Sequence, residues 1–296
     1  MLTVGLIGVG GISGAHIPAW DGMEDAKLVA LCDIRPEQME KYPDKHHYER
    51  FDDMLDQESL DILDICLPTY LHAEYAEKAM QRGIHVLCEK PVSLNTVDIP
   101  RLTETAAKHQ VKFMVAQVLR FWPEYERIKD LYESRQYGRL LSGSMSRLGC
   151  YPAWSWDGWM MDERRSGLVP FDLHIHDLDF LVYAFGTPKN ATRFRAKEKT
   201  QDYVSVVYEF DGFFVTADAS WYASPVPFRM GFRFQFEEAV AVYEDNRLTI
   251  YERNGRILSA GEDAGESDTL QLPKSDAYAN EIRYFADAVR NNTPIG

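Results

Sequence analysis

The chain has only four cysteines in 296 residues, Cys32, Cys66, Cys88 and Cys150, with no CxxC pair among them. That spacing suggests neither a zinc site nor a disulfide framework. Three of the four close predicted strands, where a small buried hydrophobe fits. Long apolar runs are missing too: none approaches the ~20 residues that span a bilayer. The N-terminus, MLTVGLIGVGG, reaches glycine before a signal-peptide core forms and carries no basic leader. Bases are outnumbered, 32 against 46 acids, for a formal charge of −14. That deficit argues against nucleic acid or an anionic membrane as partner, since both select a basic face. Internal repeats and low-complexity tracts are absent. The plain expectation is a reduced, cytoplasmic protein.

What is present is the composition of a folded globular chain: 45% hydrophobic, 12% aromatic and 26% charged. The length suits two domains of roughly 150 residues each. Over the first 120 residues short apolar runs alternate with helical segments. Strands are predicted over 2–8, 27–33, 61–67, 84–89 and 111–117, apolar almost throughout, as strands covered on both faces should be. The clearest helix is 71-LHAEYAEKAMQRG-83, with Gly83 placed to end it. This alternation predicts a parallel, doubly wound sheet. After a helix over 123–138 the texture changes to longer alternating strands at 203–210, 213–222, 228–236, 239–244 and 247–252. Turn signals at Asp211-Gly212 and Asn254-Gly255 lie between them, so a mostly antiparallel sheet is expected. The segment 259-SAGEDAGESD-268 reads as a surface loop. The domain boundaries expected are therefore 1–120 and 121–296.

The first chemical motif is 8-GVGGIS-13, between a strand and a helix. Gly8 allows the tight turn, Gly10 lets the backbone approach a pyrophosphate, and Gly11 and Ile12 lead into a helix N-terminus with its positive dipole end. Ser13 fills a third position that needs a small residue. Asp33 closes the second strand 23 residues after Gly10, where a carboxylate is expected to meet a ribose. The pair predicts a dinucleotide site. Asp33 would repel a 2′-phosphate and favours NAD, while Arg35 could pair with one and keeps NADP open.

Two more strand ends carry polar groups, 66-CLPTYLH-72 and 88-CEKP-91, and ligands in such sheets lie at the carboxyl ends of strands. Lys90 offers a donor and a charge to a substrate oxygen. Farther on, 171-FDLHIHDLDF-180 packs Asp172, His174, His176, Asp177 and Asp179 together. A strand would gather Asp172, His174 and His176 as metal ligands, but Asp177 then falls where an apolar residue is needed. A helix from about Asp172 fits better, with Ile175, Leu178, Val182 and Phe185 as its apolar stripe and Gly186 as its stop. Asp172, His176 and Asp179 then share a face that excludes His174 and Asp177, and no metal site is expected.

Glycine loop, P-T-x-x-H turn, E-K-P turn and D-x-x-x-H-x-x-D in that order resemble the glucose–fructose oxidoreductase/inositol dehydrogenase family (Gfo/Idh/MocA), over nearly the whole chain. The resemblance implies an N-terminal Rossmann domain, then an α/β domain with an open, mostly antiparallel sheet. It also implies a nicotinamide-dependent oxidoreductase of sugars, polyols and related compounds, and a homodimer or homotetramer formed through that sheet. Carried over by position, Lys90, Asp172 and His176 become the catalytic set, with His176 moving the proton. Gly8, Gly10, Gly11, Ile12, Asp33, Arg35, Pro68, Thr69, His72, Glu89 and Lys90 become the cofactor-binding set. The stretches 117-QVLRFWPEY-125 and 151-YPAWSWDGW-159 look like one branch of the family and make Arg120, Trp154 and Trp159 substrate-pocket candidates, with burial in the core as the competing role for the tryptophans. Two other activities fit the same scaffold: a cofactor-retaining enzyme of glycoside cleavage or epimerisation, and a non-catalytic nucleotide sensor. The sequence departs from the family at 166-SGLVPF-171, where a glycine-rich run is usual, and stops at 291-NNTPIG-296, where another helix is usual. Both departures predict local differences in packing.

Overall fold

The computed structural model describes residues 1–260, 268–270, 272 and 276–295. It divides into two compact units, the first made of Met1–Val118, Arg164–Ser166 and Asp276–Gly296, the second of Leu119–Glu163 and Gly167–Ser275. The first run of the first unit ends at Val118, against the boundary expected at residue 120. The single-break organisation needs correction, because the C-terminal segment from 276 belongs with the first unit. Its helix has an apolar face that packs on a helix of that unit, a long-range pairing that local sequence does not reveal.

In the first unit six strands form one parallel sheet: β1 (Leu2–Ile7), β2 (Ala26–Cys32), β3 (His46–Tyr48), β4 (Ile62–Ile65), β5 (His85–Glu89) and β6 (Phe113–Ala116), in the spatial order β3-β2-β1-β4-β5-β6. Its helices are α1 (Ser13–Asp21), α2 (Phe51–Gln57), α3 (His72–Gln81) and α4 (Asp98–His109). Ile65, Val86 and Cys88 from the strands bury against Ala76, Ala79 and Met80 of α3. Predicted strands and observed ones agree to within a few residues, except that β3 was not expected. Gly83, with φ of +78°, lies just past α3 as its sequence position implies.

The second unit opens with α5 (Pro123–Ser134) and the long strand β7 (Leu140–Cys150). The short helices α6 (Glu163–Ser166, which straddles the unit boundary) and α7 (Val169–Asp172) come next, followed by α8 (His174–Phe185). Then come β8 (Asn190–Glu198), β9 (Gln201–Glu209), β10 (Phe214–Tyr222), β11 (Arg229–Phe236), β12 (Ala239–Glu244), β13 (Arg247–Glu252), β14 (Ile257–Ser259) and β15 (Asp268–Thr269). The last helix, α9 (Ala277–Arg290), is the one that packs on α1 in the first unit. The sheet runs β15-β14-β13-β12-β11-β7-β10-β9-β8 and is antiparallel except for the β7/β10 and β14/β15 pairs. One face carries the core: Val215, Ala217, Phe232 and Phe234 meet Tyr125 of α5 and Phe180 of α8, with the Tyr125 ring edge-on to Phe180 at 5.0 Å. The other face carries small and polar residues such as Ser142, Ser144, Thr216 and Ser205, only half-buried. β7 escaped the sequence reading because LLSGSMSRLGC has no β-branched residue, yet it lies inside the sheet between β11 and β10. The surface loop expected over 259–268 lies mostly outside the described residues.

The helix expected from Asp172 is interrupted. Asp172 ends α7, the backbone resets at Leu173 (φ −101°, ψ −55°), and α8 starts at His174. The predicted apolar stripe is only partly the buried face: Leu178 and Phe185 pack against the core, but the fully buried positions are others. His174, Asp177, Phe180, Leu181 and Ala184 face the core, while Val182 is 41% exposed. Two polar residues go inward because each finds a buried partner. His174 Nε2 bonds Tyr208 Oη at 2.7 Å, and Arg147 donates to Asp177 at 3.1 Å. Gly186 stops the helix, with φ of +84°.

Candidate functional site

The glycine loop links β1 to α1. Gly8 has φ of +92°, and a Cβ there would meet the Cys66 carbonyl oxygen at 2.6 Å, so only glycine fits. At Gly10 and Gly11 a Cβ would meet nothing within 4 Å. Their missing side chains are therefore not demanded by protein packing; they leave the loop open in front of the helix N-terminus, a cradle suited to a pyrophosphate. Ser13, fully buried, folds its hydroxyl back to the Gly10 carbonyl at 2.7 Å and tightens the turn.

Asp33 follows β2 and is buried. One of its oxygens accepts the Val9 N–H at 2.8 Å, which ties the acid to the glycine loop. The other accepts the Arg35 N–H at 2.8 Å and Arg35 Nε at 3.3 Å. Arg35 thus carries a carboxylate beside its guanidinium, a poor arrangement for a second anion.

The next two turns meet over one histidine ring, whose neutral form can donate to only one of them. The buried ring of His72 lies between two main-chain oxygens, Nδ1 at 2.8 Å from the Pro91 carbonyl and Nε2 at 2.7 Å from that of Leu67. Burial pulls its pKa down. Thr69 is buried, Pro68 is partly covered, and the Lys90–Pro91 bond is cis. Glu89 is buried as well: one oxygen meets His16 Nε2 at 3.1 Å and the other accepts the Lys90 N–H at 3.1 Å. His72 and Glu89 therefore spend their polar atoms on the protein and shape the cofactor side only through the turns they hold. Lys90 is partly exposed and belongs to the first unit.

In the second unit, Asp172 and His176 are both half-buried, on either side of the Leu173 break, and His176 N–H donates to the Leu173 carbonyl at 3.3 Å. The loop before Asp172 carries the cost of the sequence departure noted above. Leu168 adopts φ of +59° and ψ of −155°, a region that is essentially glycine's. Arg120 is held by Asp179 through two bonds, of 2.9 and 2.7 Å, and its guanidinium lies 5.0 Å from the centre of the Tyr183 ring. Trp154 is 72% exposed, which removes the core role for it; Trp159 packs partly buried against the core.

Sequence reading missed His16 and Asp64 beneath the turns of the first unit and Arg147 and Tyr208 behind α8; it placed Asp179 on the face of His176 but did not pair it with Arg120. One signal was available. Asp64 interrupts the apolar strand ILDI, which is covered on both faces, and a fully buried acid requires a partner.

Comparison with known proteins decides the family. Residues 2–117 match the model described as an oxidoreductase family with an NAD-binding Rossmann fold, and residues 125–258 match the Gfo/Idh/MocA C-terminal domain. The chain belongs to the Gfo/Idh/MocA family. It is thus an oxidoreductase with an NAD-binding Rossmann domain, and its relatives include sugar and polyol dehydrogenases. One such relative is the myo-inositol 2-dehydrogenase of Thermotoga maritima, 24% identical over 99% of this chain and 78% of that protein. Another is the inositol 2-dehydrogenase of Rhizobium meliloti, 24% identical over 98% and 89% of the two chains. Among solved structures, levoglucosan dehydrogenase in complex with NADH and L-sorbose superposes with a TM-score of 0.85 at 18% identity, covering 100% of this chain and 91% of that one. Among the described residues, no helix is long and apolar enough to cross a membrane.

Proposed function

We propose that the protein oxidises or reduces a hydroxyl/carbonyl carbon of a sugar, polyol or related compound with NAD. The observation that carries this reading is the glycine loop with Asp33 bonded to it: an open cradle at a helix N-terminus and a carboxylate at the end of the neighbouring strand. Gly8, Gly10, Gly11 and Ile12 would hold the pyrophosphate, and Asp33 the ribose. Bound there, the nicotinamide supplies the hydride acceptor or donor.

The chain's own residues handle the hydroxyl and its proton. His176 takes the proton on oxidation and returns it on reduction. Lys90 offers a donor and a positive charge to the same oxygen, which favours the developing alkoxide. Asp172 orients the hydroxyl and favours the protonated imidazole. Arg120, Trp154 and Trp159 are the substrate contacts in this reading, with the exposed Trp154 ring offering a flat apolar face to a sugar. NAD is preferred over NADP because Asp33 would oppose a 2′-phosphate and already occupies Arg35. The half-buried face of the nine-stranded sheet is the proposed surface of a homodimer or homotetramer, and the cytoplasm the proposed compartment.

Fluorescence titration with NADH and NADPH, followed by turnover of a sugar and polyol panel read from reduced-nicotinamide absorbance, tests the reading. Tighter NADH binding and turnover of a panel member are expected. A result in which neither NADH nor NADPH binds would overturn it.

A further inference from the structure

His16 lies on α1, just beyond the glycine loop, and is fully buried. Its ring meets three other segments of the first unit. Nδ1 is 2.8 Å from Asp64 Oδ2 on β4, and Nε2 is 3.1 Å from Glu89 Oε1 at the end of β5. The Tyr278 ring of α9 lies 5.8 Å away. Trp20 Nε1 donates to the same Asp64 oxygen at 2.7 Å.

Ionised carboxylates only accept hydrogen bonds, so a ring that bonds two of them donates from both nitrogens and is an imidazolium. The electrostatics agree. Burial alone would push the His16 pKa down, but the charge and bond of the Asp64 carboxylate outweigh it, and the net shift is well upward. Burial would likewise raise Glu89, yet the bond and charge of His16, with Lys90, hold it below the ordinary range. A metal pocket of His16, Asp64 and Cys66 fits the chemistry poorly. Both ring nitrogens, at 2.8 Å from Asp64 and 3.1 Å from Glu89, are already committed to carboxylates and leave no lone pair for an ion.

Glu89 therefore stands in a chain of bonds from Asp64 through His16 to the Lys90 main chain. We propose that His16 is the positioning residue of the Lys90 turn: clamped between two carboxylates, it fixes Glu89 and, through Glu89, the backbone from which Lys90 projects. The inference rests on Lys90 acting on substrate. Its rival is a purely structural role, with His16 serving only to neutralise Asp64.

Two variants separate these roles. His16→Gln strands the buried acids, while His16→Gln with Asp64→Asn removes the acid that has no bond to the Lys90 turn. Melting temperature reads stability. The 13C-dimethylamine signal of Lys90 after reductive methylation, assigned with Lys90→Arg, reads the turn without needing a substrate. Expected is a lowered melting temperature and a displaced Lys90 signal in the single variant. In the double variant the melting temperature recovers while the Lys90 signal stays displaced, NADH affinity is unchanged, and turnover falls by up to about 100-fold. A Lys90 signal restored together with stability would overturn the inference, and so would an imidazole nitrogen of His16 that lacks its proton at neutral pH in 15N spectra of the unaltered protein. If the single variant does not fold, the double variant and those spectra decide. Unchanged turnover in Lys90→Ala would instead overturn the role of Lys90 itself while leaving the signal test intact.

Discussion

A carboxylate oxygen of Asp202 accepts the backbone N–H of Val169 at 3.1 Å, while the same carboxylate binds Arg195 through bonds of 2.8 and 2.9 Å. Val169 is the first residue of α7, the short helix that ends at Asp172. An acid on β9 thus caps the helix that delivers the second unit's carboxylate. Because Val169 and Asp202 are both buried, Asp202→Ala leaves a buried N–H unsatisfied and should cost about 1–3 kcal/mol. Asp202→Asn, which keeps one acceptor, should cost less. Urea denaturation checks the order; equal stability of both variants and the parent would refute the cap.

The glycine loop predicts a split between neighbours. Gly8→Ala meets the Cys66 carbonyl and takes a left-handed backbone, costing about 1–2 kcal/mol for the backbone alone, with the clash added. Gly10→Ala meets nothing in the protein and should melt like the parent, yet bind NADH poorly because its methyl group occupies the cradle. Thermal melts paired with NADH fluorescence titration check both halves.

Cofactor choice should hinge on Asp33. Asp33→Asn removes the charge that opposes a 2′-phosphate and releases Arg35. The ratio of NADPH to NADH affinity should rise by about tenfold, the equivalent of roughly 1.4 kcal/mol. An unchanged ratio in paired titrations would remove Asp33 from the selectivity account.

Stability should fall on both sides of neutral pH, for opposite reasons. His16 is raised above 6.5, so its contribution is complete below that value and is lost as pH climbs through its folded pKa. His72 and His174 are lowered from 6.5 mainly by burial. Their contribution is complete above that value and is lost as pH falls through their folded pKa values. Glu89, lowered from 4.5, adds to the acid-side loss. Denaturation midpoints measured across pH should show the alkaline loss shrinking in the His16→Gln, Asp64→Asn double variant, with the acid-side loss from His72 and His174 persisting.

The sheet of the first unit was legible because its strands are buried on both faces and read as apolar runs, and Gly8 and Asp33 sat where strand and helix ends demanded them. Three features were not legible. β8 is exposed along its whole length and β7 is rich in serine and glycine, so neither carries the usual strand pattern. The inward face of α8 holds His174 and Asp177, whose partners Tyr208 and Arg147 lie about 30 residues away on other elements, beyond any local period. Leu168 in a backbone region suited to glycine gives no compositional warning at all. Helix periodicity separated His174 and Asp177 from His176 and placed Leu178 and Phe185 on the core, but it missed the most buried positions because it counted polar residues as outward.

The role of His176 is the central claim, and one variant tests it most directly. His176→Asn removes the proton carrier and keeps a polar side chain of similar size. Once a panel substrate is in hand, hydride transfer measured in single turnover should fall by about 100- to 10,000-fold while the NADH dissociation constant stays unchanged. Near-normal hydride transfer in that variant would contradict the mechanism.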